Sequence, residues 1–247
     1  MKKIILLFAA MLALSVCFPS RSEAIPLTPI NILIDVGHGG VDSGTSFGKL
    51  YEKDINLQIA KVLYKELTDA GYRVALNREE DIALSDDNRW LNTRSRHIRD
   101  LAQRRNLAKE LRPQMMLSLH VNWSSDKRRR GPVVLYQRND QSFMLAQLVQ
   151  DSLDRLSGTH DKPVKGGTYY VLRHSYCPTV IIEMGFISNA RDREMLTSPQ
   201  GQEKIAQAIK AGVSEYVLLT GNLKMEGKVE EKTEESFWKI LMDRLMN

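Results

Sequence analysis

Short apolar runs alternate with amphipathic segments along most of the chain. Residues 31–36 and 115–121 are short, mainly apolar runs, which is typical of strands buried on both faces. Residues 54–70 carry apolar side chains at helical spacing, and Gly71 follows as a C-cap residue. The same pattern predicts strands at 72–76, 132–136, 168–172 and 179–184, and helices at 91–111, 142–156 and 202–219.

Strands that alternate with helices indicate an α/β fold: a single domain with a mostly parallel twisted sheet and helices on both faces. Ligands of such sheets bind beyond the carboxyl ends of the strands. His38 follows the first predicted strand, His120 ends the central strand, and Glu183 ends the last one. We therefore expect these three side chains to share one site.

The first 24 residues have the parts of a secretory signal peptide. Lys2 and Lys3 precede an apolar run at 4–16, and residues 22–24 form a small-x-small cleavage site. The run is shorter than the roughly 20 residues of a membrane-spanning helix. An uncleaved anchor is the first alternative, and acylation at Cys17 is the second.

We expect the catalytic domain at 25–221 and a charged C-terminal tail at 222–247. Cleavage of the leader would leave Cys177 as the only cysteine, so no intramolecular disulfide is expected. Cys177 precedes a strongly apolar run, where a small buried residue is a better interpretation than a nucleophile.

Positive charge is concentrated in one region of the chain. The net charge is +5, and residues 89–130 hold twelve Lys or Arg against three acids. This region predicts attraction to an anionic wall polymer, and a solvated helix face is an equally good interpretation. We expect no nucleic-acid partner, because no nucleic-acid-binding motif is present.

Four side chains carry the candidate chemistry. His38 lies in a Gly-His-Gly-Gly turn, Glu52 follows fourteen residues later, and His120 lies in an apolar strand where an unpaired ring would be costly. Two imidazoles and one carboxylate are a common catalytic zinc set that leaves a fourth position for water. Glu183 would be the general base, because burial at a strand end raises the pKa of a carboxyl group.

Each of these residues also has a structural interpretation. A single histidine in a turn is more often structural than metal-bound, and Glu52 would also suit a helix N-terminus. The remaining histidines, His97, His160 and His174, are interpreted as ordinary surface or loop residues.

At these residues the chain resembles the zinc-dependent N-acetylmuramoyl-L-alanine amidases of bacterial cell walls (amidase type 3 family). The resemblance spans residues 31–219 and is most like the single-domain amidases of spore-forming bacteria. Its blocks are, in family order, IDVGHGGVDSG, YEKDINLQIA, LAQRRNLAKELRP leading into LSLHVN, and YYVLRHSYCPTVIIEMGFISN. Val36 departs from the family, which usually has Pro or Ala there.

The resemblance implies that His38, Glu52 and His120 bind Zn²⁺ and that Glu183 is the catalytic acid and base. The implied reaction is hydrolysis of the amide between the lactyl group of N-acetylmuramic acid and L-alanine of the peptidoglycan stem peptide. A secreted monomer in the cell wall or spore cortex, with a role in sporulation or germination, is expected. Whether a protein activator is needed stays open.

Two other functions remain alternatives. Another zinc peptidase or deacetylase is the first, although carboxypeptidase-like sites usually place the first His and Glu three residues apart, not fourteen. The second is a non-catalytic protein of the same fold that binds the cell wall or regulates amidases.

Overall fold

The computed structural model describes residues 29–221. Eight strands form in this part of the chain: β1 Ile32–Val36, β2 Ser46–Phe47, β3 Leu50–Tyr51, β4 Val74–Leu76, β5 Met115–Asn122, β6 Val133–Tyr136, β7 Val164–Lys165 and β8 Thr179–Phe186. Six of them make one sheet in the order β4-β1-β5-β8-β6-β7, and β2 and β3 form a separate antiparallel pair.

The centre of the sheet is parallel. Strand β1 pairs in parallel with β4 and β5, and β5 pairs in parallel with β8. Strand β6 runs antiparallel to β8, and β7 is parallel to β6. Strands β1, β5 and β8 therefore end at the same edge of the sheet, as the sequence predicts for its candidate site.

The described residues form six α-helices that cover the sheet: α1 Glu52–Asp69, α2 Arg96–Leu111, α3 Asp140–Ser157, α4 Tyr170–His174, α5 Ala190–Thr197 and α6 Pro199–Thr220. Helices α1, α3 and α6 bury their apolar faces against one side of the sheet, where Ile34 and Leu117 are fully buried. Helices α2 and α4 cover the other side. Full burial of each such aliphatic side chain contributes about 1.5–3 kcal/mol, so this double covering stabilises the sheet.

The predicted strand at 168–172 is wrong, because α4 occupies Tyr170–His174. The adjacent residues Val171 and Leu172 are both buried, and both pack on the same side of the sheet, one against Leu33 and the other against Leu135. A strand would turn successive side chains to opposite faces, whereas a helix lets both point inward. The edge beside β6 is taken by β7 instead.

Helix α2 begins five residues later than predicted, at Arg96 rather than at 91. The side chain of Ser95 accepts a hydrogen bond from the backbone N–H of Ile98, which makes it the N-cap. The other predicted strands and helices are confirmed, with bounds that differ by a few residues.

The predicted signal peptide at 1–24 and the charged tail at 222–247 lie outside the described residues. Among the helices of residues 29–221, none combines the length and the apolar character that crossing a membrane requires.

Candidate functional site

The site begins with a sharp turn at the end of β1. Gly37 allows a close approach, because a Cβ there would lie 2.5 Å from Cε1 of His120. His38 follows with φ of 61°, a left-handed conformation that is uncommon for a residue with a side chain. This turn directs the imidazole of His38 toward the central strand β5.

Three side chains meet at one carboxylate oxygen. Oε1 of Glu52, the first residue of α1, lies 3.1 Å from Nε2 of His38 and 3.0 Å from Nδ1 of His120. The backbone N–H of Val121 donates to Oε1, and that of Thr45 donates to Oε2. The Glu52 side chain is thereby fixed in one orientation beneath both rings.

The donor set fits a zinc ion. One ligand atom from each of His38, Glu52 and His120 lies within 4.8 Å of the other two. Ligands at about 2.0–2.2 Å around a tetrahedral zinc ion lie about 3.3 Å apart, close to the two distances measured here. These residues could therefore hold a metal ion with little movement.

Asp42 completes the surroundings of His38. Its Oδ2 lies 2.8 Å from Nδ1 of His38, on the side of the ring that faces away from Glu52. Its Oδ1 accepts a hydrogen bond from the backbone N–H of Gly44. A carboxylate on the second ring nitrogen is the usual partner of a metal-binding histidine, because it fixes the tautomer and the ring orientation.

Hydrogen bonds and charges within this group shift the pKa values of His38 and Glu52 in opposite directions. Burial alone would lower the pKa of His38, but hydrogen bonds with Asp42 and Glu52 outweigh it and raise that pKa to about 9. Burial alone would raise the pKa of Glu52, but His120 and His38 lower it well below its usual range. Metal binding needs neutral imidazoles and would therefore release protons.

Glu183 lies on β8, directly opposite His120 in the register of β5 and β8. Burial raises the pKa of its carboxyl group to about 7, and the nearby charge of Glu52 also raises it. Within residues 29–221 its carboxylate makes no hydrogen bond. A free carboxyl group with a pKa near neutrality can both accept and donate a proton at pH 7.

A cleft of about 560 Å³ opens over the four predicted site residues. Two aromatic side chains that line it are exposed, Trp123 by 54% and Tyr169 by 43%. The other side chains of the lining that the prediction did not include are Asp35, Asp42, Thr45, His97, Asp100, Leu101, Arg104, Ser118, Val121, Asn122, Thr168, Tyr170, Val171 and Ile181.

The structure brings together all four predicted site residues and adds others. The sequence pattern did not single out Asp42. Its position four residues after His38, in the same glycine-rich turn, could have indicated a contact with that ring. The sequence pattern also did not place His97 in the cleft. His174 is exposed at the end of α4, where the centroid of its ring lies 4.5 Å from that of Tyr170.

The cysteine prediction is consistent with the structure. Cys177 is partly buried next to Ser175 and Thr179, and burial raises the pKa of its thiol. A raised pKa leaves less thiolate at neutral pH, which is the opposite of what a nucleophile needs.

About half of the basic region at 89–130 is engaged within the domain. Arg104 is buried in an ion pair, and Arg128 pairs with Asp126. Others donate to backbone carbonyls or lie on aromatic rings, namely Arg99, Arg105, Arg129 and Arg130. Carbonyl and ring contacts leave the positive charge in place, so among the described residues only the ion pairs of Arg104 and Arg128 offset charge in this region.

A family model described as N-acetylmuramoyl-L-alanine amidase matches residues 32–215, which include all four predicted site residues. The chain belongs to that family. The germination-specific amidase of Bacillus subtilis (strain 168) is 31% identical over 201 residues, which cover 81% of this chain and 84% of that protein. The amidase LytC of the same strain is 33% identical over 194 residues, which cover 77% of this chain but only 36% of LytC.

Solved amidase structures have the same fold. The CwlD amidase of Clostridioides difficile, whose structure was determined in complex with the GerS lipoprotein, matches with a TM-score of 0.71. It is 32% identical, and the match covers 77% of this chain and 99% of CwlD. The catalytic domain of the amidase CwlV from Bacillus (Paenibacillus) polymyxa var. colistinus matches with a TM-score of 0.63 and 30% identity, over 76% of this chain and 98% of that domain. This amidase therefore has the mixed α/β domain that the sequence predicts.

Proposed function

We propose that this amidase holds Zn²⁺ with His38, Glu52 and His120, and that it uses Glu183 to move protons during hydrolysis. The observation that carries the proposal is the convergence of Nε2 of His38 and Nδ1 of His120 on one oxygen of Glu52. Glu183 lies opposite His120 in the same cleft, and within residues 29–221 its carboxylate accepts no hydrogen bond. This combination supplies both an electrophilic centre and a proton carrier.

The residues of the site have separate tasks. Zn²⁺ bound there would lower the pKa of a water molecule and polarise the carbonyl of the scissile amide. Glu183 takes the proton of the attacking water and passes it to the leaving amine. Asp42 holds His38 in the tautomer whose Nε2 lone pair points into the cleft.

The bond we assign is the amide between the lactyl group of N-acetylmuramic acid and L-alanine of the stem peptide. The family of the chain supports this assignment. The two sequence-based alternatives are less well supported: a zinc peptidase or deacetylase does not fit the family match, and a non-catalytic protein does not need a free carboxyl group beside a metal site.

We infer that the protein acts on peptidoglycan outside the cytoplasm, in the cell wall or spore cortex. The signal-peptide pattern at 1–24 and the similarity to a germination-specific amidase support this location. The structure of CwlD is that of a complex with a lipoprotein, so a lipoprotein partner for this chain is a hypothesis to be tested by co-purification.

The proposal is tested by separating catalysis from metal binding. Glu183→Gln removes the proton carrier but none of the three ligands, so it should abolish release of stem peptides while zinc content and sedimentation with peptidoglycan stay unchanged. His120→Ala should lose zinc as well as activity. Lytic activity that persists in Glu183→Gln would remove the role assigned to Glu183.

A further inference from the structure

One buried guanidinium connects the two segments that carry His38 and Glu52. Arg78 follows β4 and is 2% exposed. Its Nη2 donates to the carbonyl oxygen of Gly37 at 3.0 Å and to that of Lys53 at 2.8 Å. Gly37 immediately precedes His38, and Lys53 immediately follows Glu52. A single nitrogen atom therefore joins the backbone beside two of the three proposed ligands.

The other contacts of Arg78 are also to backbone carbonyls. Nε donates to Val36 at 3.2 Å, and Nη1 donates to Glu80 at 3.0 Å. Within the described part of the chain, its guanidinium forms no ion pair with a carboxylate. Burial of a cation without such a partner costs free energy. A contribution to the stability of the fold therefore does not by itself explain why Arg78 is there.

The segment that Arg78 contacts includes a strained residue, His38. His38 has φ of 61°, a strained conformation for a non-glycine residue, which persists only when its surroundings enforce it. The loop that leads from it to Glu52 contains several glycines, which give it little stiffness of its own. A second buried arginine, Arg104, donates to the carbonyl of His38 at 3.0 Å from the side of α2.

We propose that Arg78 is a positioning residue that fixes the separation between His38 and Glu52, so that both can reach one metal ion. The proposal rests on the zinc site proposed above. Arginine suits this task because its planar fork directs several donors in fixed directions, whereas lysine has one nitrogen on a flexible stem. Arg78→Lys keeps the positive charge but cannot make the same set of contacts.

Arg130 provides a matched control. It also donates to two backbone carbonyls, those of Ser157 at 2.8 Å and Gly158 at 3.3 Å, but it does not line the cleft. Zinc affinity would be measured by competition with a chromophoric chelator for the wild type, Arg78→Lys and Arg130→Lys. Visible absorption spectra of the Co²⁺-loaded proteins would report the ligand geometry, and circular dichroism would confirm that each is folded.

We expect Arg78→Lys to weaken zinc binding by about 10- to 100-fold, the usual effect of losing a group that orients a metal ligand, and to change the Co²⁺ spectrum. Arg130→Lys should leave both unchanged, even if its unfolding temperature falls. Wild-type affinity and a wild-type Co²⁺ spectrum in Arg78→Lys would overturn the role of Arg78. A wild type that binds no zinc would instead overturn the proposed metal site itself.

A second variant covers failure of the first to fold. Arg78→Gln removes the charge, and its amide nitrogen lies where Nε of arginine lies, two bonds short of Nη2, so it does not reach the carbonyls of Gly37 and Lys53. It should weaken zinc binding in the same way, and unchanged affinity in this variant would equally contradict the proposal.

Discussion

The orientation of a single ring determines whether His38 can serve as a ligand. Asp42 holds Nδ1 at 2.8 Å, which leaves Nε2 facing Glu52. Asp42→Asn removes the negative charge from this contact. The asparagine amide can present either its oxygen or its nitrogen to Nδ1 of His38. We expect zinc affinity to fall by about 10- to 100-fold, as measured by chelator competition. Asp126→Asn is the control, because the Asp126 side chain pairs with the exposed Arg128 and does not line the cleft. Equal losses in the two variants would refute the role of Asp42.

Glu183 should make the stability of the metal-free protein depend on pH. The pKa of its carboxyl group rises from 4.5 to about 7 on folding, so the folded state binds more protons between these values. The protonated carboxyl group of Glu183 therefore adds to the free energy of unfolding at low pH. This contribution is lost as the pH rises through about 7.

The variant Glu183→Gln should remove this dependence. At pH 8 we expect the metal-free variant to be more stable than the wild type by up to about 3 kcal/mol, with the difference shrinking toward pH 4. Urea denaturation at several pH values in the presence of a chelator would measure it. A stability difference that does not change with pH would show that folding does not raise the pKa of Glu183.

At the scale of elements, the loop between β1 and α1 forms one wall of the site. Gly44 has φ of +63°, and a Cβ there would lie 2.5 Å from Oε2 of Glu52 and 2.7 Å from Cδ2 of His38. Gly48 has nearly the same φ, +61°, but a Cβ there would meet nothing within 4 Å. The two positions therefore share the backbone cost of a side chain and differ only in the clash.

Gly44→Ala should lower both stability and zinc affinity, whereas Gly48→Ala should lower stability alone, by about 1 kcal/mol. Thermal unfolding and zinc titration of the two variants would separate these effects. Equal zinc affinities in the two variants would show that the loop yields to the added methyl group and does not constrain the ligands.

The sequence predicted most elements, and it selected four residues that the structure brings into one cleft, because those signals are local. Apolar runs identify β1, β5 and β8, and a histidine inside such a run is conspicuous in the sequence. The failure at 168–172 has a tertiary cause: β-branched and aromatic residues favour a strand, but the sheet edge was already occupied by β7. Arg78 and Arg104 could not be identified, because their contacts join segments far apart in the chain.

At the scale of the whole molecule, the sheet assembles the site. Parallel pairing of β1, β5 and β8 brings His38, His120 and Glu183 to one edge, and α1 begins there with Glu52. The register that pairs His120 with Glu183 places the proposed proton carrier beside the proposed metal ligands. Strands and helices packed on the core thus carry Glu52, His120 and Glu183, whereas His38 lies in the turn that follows β1.

The most direct test of the central claim is to identify the products formed from purified peptidoglycan. Residues 25–247 would be incubated with it, with and without a chelator, and the soluble products would be analysed by mass spectrometry. Free stem peptides that begin with L-alanine, lost on chelation and restored by zinc, are the predicted result. Cleavage at any other bond, or intact muropeptides from a zinc-loaded and folded protein, would contradict it.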